Sequence, residues 1–339
     1  MTPEMVLPLG ALMASLLASV VIFMLPERRH GWRIAVNLSA ASLKLALVCV
    51  MIWGVFQGRE YGLRFAVLPD LDFVLRVDAL AMMFAGLSSL LWLFTTVYAV
   101  GYLEDSPNRS RFFGFFSLCV ASTLGIALAG NLFTFFLFYE MLTLSTYPLV
   151  VHRGTPEALR AGRKYLVYTL TGGTVLLLGI IWLQTLTGDL SFQPQGHPAL
   201  LANEDPGVLI AIFVLLFAGL GVKAAVVPLH GWLPAAMVAP APVSALLHAV
   251  AVVKAGAFGM VRVLYHVFGI EFSATLGLLG PVAAIATFTI LYGSMRALFQ
   301  TDLKRRLAFS TVSQVAYIPL GLSLLGPVGT AGGLVHLLH

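Results

Sequence analysis

An all-α polytopic membrane protein is the fold class this sequence predicts, and three observations predict it. Of its 339 residues, 59% are hydrophobic and only 10% are charged, with a mean hydropathy of +0.93; a soluble domain carries about 25% charged residues. Apolar runs of span length recur from end to end, and a span needs about 20 such residues. The basic residues alternate between loops in the manner of the positive-inside rule. The net charge of +5 and pI near 9.3 therefore reflect loop topology, and no nucleic-acid partner is expected. Cys49 and Cys119 both lie in apolar spans, so neither a disulfide framework nor a cysteine metal site is expected.

Taken in order, the runs predict helices near 5–25, 34–56, 78–100, 112–129, 131–151, 165–187, 208–227, 243–264, 273–295 and 307–325. An eleventh begins near 328, which makes about 10–11 transmembrane helices. The opening MTPEM has no basic n-region, so a cleaved signal peptide is not expected. The last residues, GGLVHLLH, sit within an apolar run, and the expectation is a truncated chain.

The loops test this count. Loop one holds Arg28, Arg29 and Arg33; loop three, Arg109 and Arg111; loop five, Arg153, Arg160, Arg163 and Lys164; loop nine, Arg296, Lys304, Arg305 and Arg306. The even loops hold Asp70, Asp72, Asp189, Glu204, Asp205 and Glu271, with Arg59, Arg64 and Arg76 confined to loop two. This places the odd loops in the cytoplasm and the N-terminus outside. Loop two, YGLRFAVLPDLDFVLRVD, alternates apolar and polar residues in part and predicts a short outer hairpin. SFQPQGHPALLANEDPG is a polar outer loop in which His197 is expected to be solvated.

The stretch of most chemical interest is GLGVKAAVVPLHGWLPAAMVAPAPVSALLHAVAVVKAGAFGMVR, residues 219–262. It carries Lys223, His230, His248 and Lys254 in apolar surroundings, with Pro228, Pro234, Pro240 and Pro242 between the two lysines. A lysine at a span centre costs roughly 2.5–3.5 kcal/mol. Irregular backbone is tolerated at membrane depth where it is buried in protein or lines a cavity. A proton or ion path through a helix broken around Pro228 and Pro234 is the functional reading. The bland alternative is a surface loop with Lys223 snorkelling to it and Trp232 as an interfacial anchor.

Glu140 lies near the middle of the fifth span, with Thr143 and Tyr147 on its face of the helix. A buried carboxylate is neutral or paired, and Lys223 is the partner the sequence offers. Beside the carboxylate, Lys223 keeps its proton; separated from it, burial disfavours the charged amine and the proton leaves. The alternative for Glu140 is a protonated packing contact. Ser244 and His248 share a stripe at i and i+4, whereas His248 and Lys254 are about 120° apart on a regular helix. A relay between them needs water or a second helix, and a satisfied core histidine is the alternative for His248. His336 and His339 lie at i and i+3 of the last helix and can pass protons near neutral pH; with no cysteine or carboxylate nearby, no metal site is expected there. Lys44, mid-span in helix two, is open between a functional and a snorkelling residue. Gly172 and Gly173 read as a helix-packing surface. The basic run 294–314 reads first as a topology determinant, with Asp302 open between a partner for its bases and a partner for a neighbouring subunit. No Gly-rich phosphate loop, iron–sulfur cysteine cluster or nucleophile constellation is present in the sequence, so no cofactor is expected.

FFLFYEMLTLSTYPLV, GVKAAVVPLHGWLPAAMVAPAPVSALLHAVAVVKAG and QTDLKRRLAFSTVSQ together resemble the proton-conducting antiporter-like family. That family includes membrane-arm subunits of respiratory complex I, subunits of membrane-bound hydrogenases, and the A and D subunits of Mrp-type sodium/proton antiporters. The resemblance covers nearly the whole chain. It implies an inverted-repeat fold of about 14 helices with a broken seventh helix. On that pattern residues 1–111 are N-terminal helices 1–3, 112–265 the first five-helix half-channel, and 266–339 the start of a second repeat. The resemblance also implies that Glu140 and Lys223 form a charged pair and that His248, Lys254, His336 and His339 continue the relay.

The expected function is a proton-translocating subunit of a multi-subunit complex in a bacterial cytoplasmic membrane. It is expected to contact lipid and neighbouring subunits, with no catalytic chemistry of its own. The rivals are a sodium/proton antiporter component, a structural scaffold, and a relative adapted to inorganic-carbon uptake.

Overall fold

The computed structural model describes residues 3–69, 71–104 and 106–338. Among the described residues, nine helices are long and apolar enough to cross a membrane. They are α1 (Pro3–Met24), α2 (His30–Phe56), α3 (Ala79–Tyr102), α4 (Arg109–Leu128), α5 (Leu132–Val150), α6 (Pro156–Thr187), α7 (Pro206–Lys223), the interrupted α8 (Ala241–Val267) and α9 (Leu279–Leu298). Two further helices follow, α10 (Leu303–Ser323) and the short apolar α11 (Pro327–Leu338). The chain is an all-α integral membrane protein apart from one hairpin. It divides into two compact units.

The first unit comprises Met1–Gly130, Thr134–Gly162 and Val238–Val252. Its helices follow from side-chain caps as well as apolar runs. The Asp78 carboxylate accepts from the Ala81 N–H at 2.7 Å and starts α3, satisfying one of the donors a helix N-terminus leaves open. The expected hairpin is present as antiparallel strands β1 (Tyr61–Leu68) and β2 (Leu71–Val77). It is anchored by Gly130 N–H donating to the Val74 carbonyl at 2.8 Å and Val74 N–H donating to Thr134 Oγ1 at 2.8 Å. The odd loops of this unit are joined to one another. Arg33 Nη2 donates to the Glu27 carbonyl at 2.9 Å and its Nε donates to Ser110 Oγ at 3.1 Å. Arg111 Nη2 donates to the His152 carbonyl at 3.1 Å. Loops one, three and five therefore share one end of the unit, as their common basic character requires.

The second unit comprises Asn131–Phe133, Arg163–Met237 and Val253–His339. Its helices approach closely through small residues. A Cβ at Gly172 would meet Val222, and one at Gly219 would meet Leu176 and the Gly172 carbonyl, so Gly172 is a packing residue. His197 is packed rather than solvated. Its Nε2 lies 2.7 Å from the Ser191 carbonyl, and its N–H donates to the Val267 carbonyl at 2.9 Å. Loop polarity was the signal for solvation, and a local turn has absorbed the polar groups instead.

Several boundaries differ from expectation, α9 starting at Leu279 rather than near 273 among them. α6 begins at Pro156, so Arg160, Arg163 and Lys164 lie in its first turns and not in a loop. α7 ends at Lys223, four residues before the predicted end. α8 is not one regular α-helix: Ala241–Ala245 passes into a π-helical turn at Leu246–Val250, resumes as α-helix at Val252–Arg262 and ends in a second π turn at Val263–Val267. Each π turn adds a residue to the repeat, which counting at 3.6 residues per turn does not detect.

Candidate functional site

Lys223 is the last residue of α7 and is fully buried. The helix stops there because the next residues close a Schellman cap. Ala225 N–H donates to the Val222 carbonyl at 3.2 Å and Val226 N–H donates to the Gly221 carbonyl at 2.9 Å. Ala225 occupies the left-handed position of that cap, φ 57°, where glycine is usual and a side chain costs about 1–2 kcal/mol. A helix C-terminus carries partial negative charge and favours a cationic residue in its last turn, which is where Lys223 lies.

The segment after the cap, residues 224–240, runs as short turns: Leu229–Gly231, Trp232–Ala235 and Ala236–Val238. Pro228 precedes the first and Pro234 sits within the second. Trp232 is not an interfacial anchor. It is fully buried, its Nε1 donates to the Val222 carbonyl at 2.7 Å, and its ring packs edge-on against Tyr165 with centroids 5.4 Å apart. An indole N–H is a donor only, and here it covers a carbonyl at the open end of α7. His230 packs against Tyr292, with centroids 5.1 Å apart. Lys304 Nζ donates to the Met237 carbonyl at 3.2 Å, so the first turn of α10 also holds this segment.

Lys254 lies on α8 and is 7% exposed. Its Nζ donates to the Leu337 carbonyl on α11 at 2.7 Å. His336, the preceding residue, packs its ring on Tyr317 of α10 with centroids 5.2 Å apart. The Lys254 hydrogen bond ties α8 to α11. Gly256, two residues after Lys254, lies against the end of α7: a Cβ there would collide with the Ala224 nitrogen and lie 2.9 Å from the Lys223 carbonyl carbon. Lys223, Lys254 and His336 are accordingly positioned within one unit.

Glu140 is half-buried on α5, in the first unit. Thr143, three residues on, is fully buried, and its Oγ1 donates to the Tyr139 carbonyl at 3.3 Å. His248 is half-buried and sits within the π turn of α8. His339 lies outside the described residues. Among the described residues no group of three or more His, Cys, Asp and Glu side chains is placed to hold a metal ion.

Sequence reasoning passed over Arg262. It is buried on α8 with its guanidinium 5.1 Å from the centres of both the Phe192 and Phe258 rings. Its nearness to a predicted helix end made it resemble a loop base. Its spacing from Lys254, eight residues on the same helix, was the available signal.

Residues 129–339 match the family described as NADH:quinone oxidoreductase/Mrp antiporter, TM, and residues 68–113 match the N-terminus of chain 5 of NADH-ubiquinone oxidoreductase (complex I). Subunit L of a NADH-quinone oxidoreductase from Mycobacterium tuberculosis is 36% identical over 277 residues, covering 79% of this chain and 41% of that protein. The A/B component of a probable K(+)/H(+) antiporter from Rhizobium meliloti is 31% identical over 334 residues, covering 95% of this chain and 32% of that protein. This chain therefore spans less than half the length of either relative. Among solved structures, the Mrp complex from a Dietzia species aligns at a TM-score of 0.86 and 27% identity, over 100% of this chain and 62% of that one. An archaeal membrane-bound sulfane sulfur reductase aligns at a TM-score of 0.84 and 26% identity, over 99% and 67%.

Proposed function

Because the chain belongs to the NADH:quinone oxidoreductase/Mrp antiporter membrane family, we propose that it is a proton-translocating subunit of a multi-subunit membrane complex. The observation that carries this is the placement of Lys223 at the capped end of a broken helix, with Lys254 on the helix that packs against that end. Lys223 is the gated carrier. Its amine is held by the C-terminal end of α7, and Glu140 modulates its charge. An approaching carboxylate favours the ammonium, and a receding one releases the proton.

His248, Lys254, His336 and His339 form the onward relay, with the Lys254–Leu337 hydrogen bond fixing the amine beside the histidine-bearing helix. Residues 1–111 form the N-terminal helices, 112–265 the first half-channel and 266–339 the opening of a second. The N-terminus lies outside, in a bacterial cytoplasmic membrane, and partner subunits supply the driving reaction. The break around Pro228 and Pro234 lets the end of α7 shift against α8 without unwinding either helix.

A second reading, exchange of a cation for protons, is favoured by the similarity to a component of a probable K(+)/H(+) antiporter. Proton flux into proteoliposomes holding the full-length protein with its native partners separates the two. Under the first reading Lys223→Ala and Glu140→Ala abolish flux, irrespective of sodium or potassium, while native gels show intact assembly. Flux that requires either cation establishes exchange. Undiminished flux in both variants overturns the charge-pair mechanism.

A further inference from the structure

Lys44 is fully buried in the first unit, well away from either end of α2. It does not snorkel. Among the described residues its Nζ has no hydrogen-bond partner, and it lies 4.7 Å from the centre of the Trp92 ring.

The surroundings of this amine are unusually polar for a span. On α3, Ser88, Ser89, Trp92 and Thr96 fall on one stripe of the helix, and all four are buried to within 1% exposure. Ser88 Oγ, Ser89 Oγ, Trp92 Nε1 and Thr96 Oγ1 all lack a partner among the described residues. On α2, Asn37 lies two turns from Lys44, is fully buried, and leaves its Nδ2 likewise without one. The Lys44 amine over the Trp92 ring sets the level, and Ser88, Ser89 and Thr96 each lie within about one turn of Trp92 along α3.

Such groups are rarely left unsatisfied, and buried water fills the role where several converge. The donors outnumber the acceptors. Lysine, tryptophan and the asparagine amide offer N–H groups, and the hydroxyls both donate and accept. A Trp92 face attracts an ammonium, and hydroxyls or water can donate to the lone pair of a free amine. Both protonation states of Lys44 thus find partners.

We propose that Lys44, Asn37, Ser88, Ser89, Trp92 and Thr96 hold internal water around a further proton-binding site in the N-terminal helices. It is made of residues other than those of the Glu140–Lys223 path. Its ligands are water and a proton, with Lys44 as the group that takes up and releases it.

Among the described residues, α2, α3 and α4 carry no carboxylate within their spans. α2 itself carries His30, Arg33 and Cys49. Among the described residues of α1, Glu4 is the carboxylate, in the first turn. Since Gly10 meets Leu47, Glu4 lies roughly 13 Å along the axis from the level of Lys44. α3 carries Tyr98 and Tyr102, both exposed, and α4 carries Arg109, Arg111 and buried Cys119. Tyr61 of β1 lies against Gly54 of α2. α3 also packs against the π turn that bears His248, which gives the site a titratable neighbour on the far element.

The test uses the full-length protein with its native partner subunits. Hydroxyl-radical labelling by X-ray radiolysis, read by mass spectrometry, marks side chains beside internal water. Trp92, though shielded from bulk solvent, is expected to be labelled, and Ser88→Ala/Ser89→Ala is expected to reduce that labelling. Proton flux is expected to fall at least about tenfold in Lys44→Met, since a positioned proton-transfer group is worth about 10²–10⁴-fold. It is expected to fall in Lys44→Arg as well, because a guanidinium holds its charge but does not release a proton. Unlabelled Trp92, undiminished flux in Lys44→Met, or flux restored by Lys44→Arg would each overturn the proposal. If Lys44→Met does not assemble, the double serine variant decides: labelling and flux at wild-type levels overturn it. Lys223→Ala, run in parallel, keeps the outcomes apart: wild-type flux there refutes the main path and leaves this site standing.

Discussion

Lys254 reaches across 83 residues of sequence to hydrogen-bond the backbone carbonyl of Leu337 at 2.7 Å. A backbone acceptor holds either an amine or an ammonium donor, so the bond fixes the position of the side chain without fixing its charge. We expect Lys254→Met to lose proton flux while the complex still assembles, and Lys254→Arg to keep the anchor but not the flux. Flux assays paired with native gels check both. Wild-type flux in Lys254→Met removes this residue from the relay.

Gly256 is where α8 meets the end of α7, and a side chain has no room there: the Ala224 nitrogen and the Leu220 carbonyl oxygen already occupy the position of a Cβ. Because these are backbone atoms, relief requires moving a helix. Gly256→Ala is expected to lower stability by about 1–3 kcal/mol, the usual cost of overpacking, and to impair flux more than a comparable lesion elsewhere. Thermal unfolding in detergent, compared with Gly280→Ala, provides the check, since a Cβ at Gly280 meets nothing.

The positions of α1–α5 and α7 were legible because each is an apolar run bounded by charge or by turn residues, and insertion into lipid reads little else. The burial of Lys223 and Lys254 was legible for the same reason. What escaped depends on pairing between distant residues. Nothing near Trp232 announces that its indole caps α7, and nothing near Leu337 announces Lys254. The π turns of α8 leave no compositional mark. His248 and Lys254 flank the end of one of them, so the angle computed for a regular helix does not apply to the pair. Arg262 was missed because a base near a span end usually reports topology.

Trp232→Phe keeps the ring against Tyr165 and removes the donor to the Val222 carbonyl. A buried acceptor that loses its donor costs about 1–3 kcal/mol. The Val222 carbonyl retains the Ala225 N–H at 3.2 Å, so the lower end of that range is expected. If the indole also steadies Lys223, flux should fall further than stability alone explains. Measuring both on one preparation separates the two effects.

His152 sits in the turn after α5, where burial and the charges of Arg111 and Arg153 push its imidazole from 6.5 down to about 4, with Glu27 opposing. The unfolded chain takes up the proton near 6.5 and the folded chain resists until about 4. Between those values the unfolded state binds more protons, so stability falls as the pH drops through that window and is unaffected above it. His152→Gln is expected to flatten this slope. Thermal unfolding at several pH values between 4 and 7 is the measurement; an unchanged slope in the variant would assign the acid sensitivity to other groups.

Ala225 offers the one substitution expected to stabilise. It holds φ 57° at the left-handed position that ends α7, where the side chain costs about 1–2 kcal/mol. Glycine removes that cost and adds about 0.4–1 kcal/mol of chain entropy in the unfolded state. The balance favours Ala225→Gly by up to about 1.6 kcal/mol, visible as a raised Tm. Its effect on flux should run the other way. A cap closed by alanine is strained and can open more easily than one closed by glycine, so if movement of the α7 end gates Lys223, the more stable variant conducts more slowly. A raised Tm with unchanged flux would show that the cap does not move during transport, and would place the gating motion on the Glu140 side.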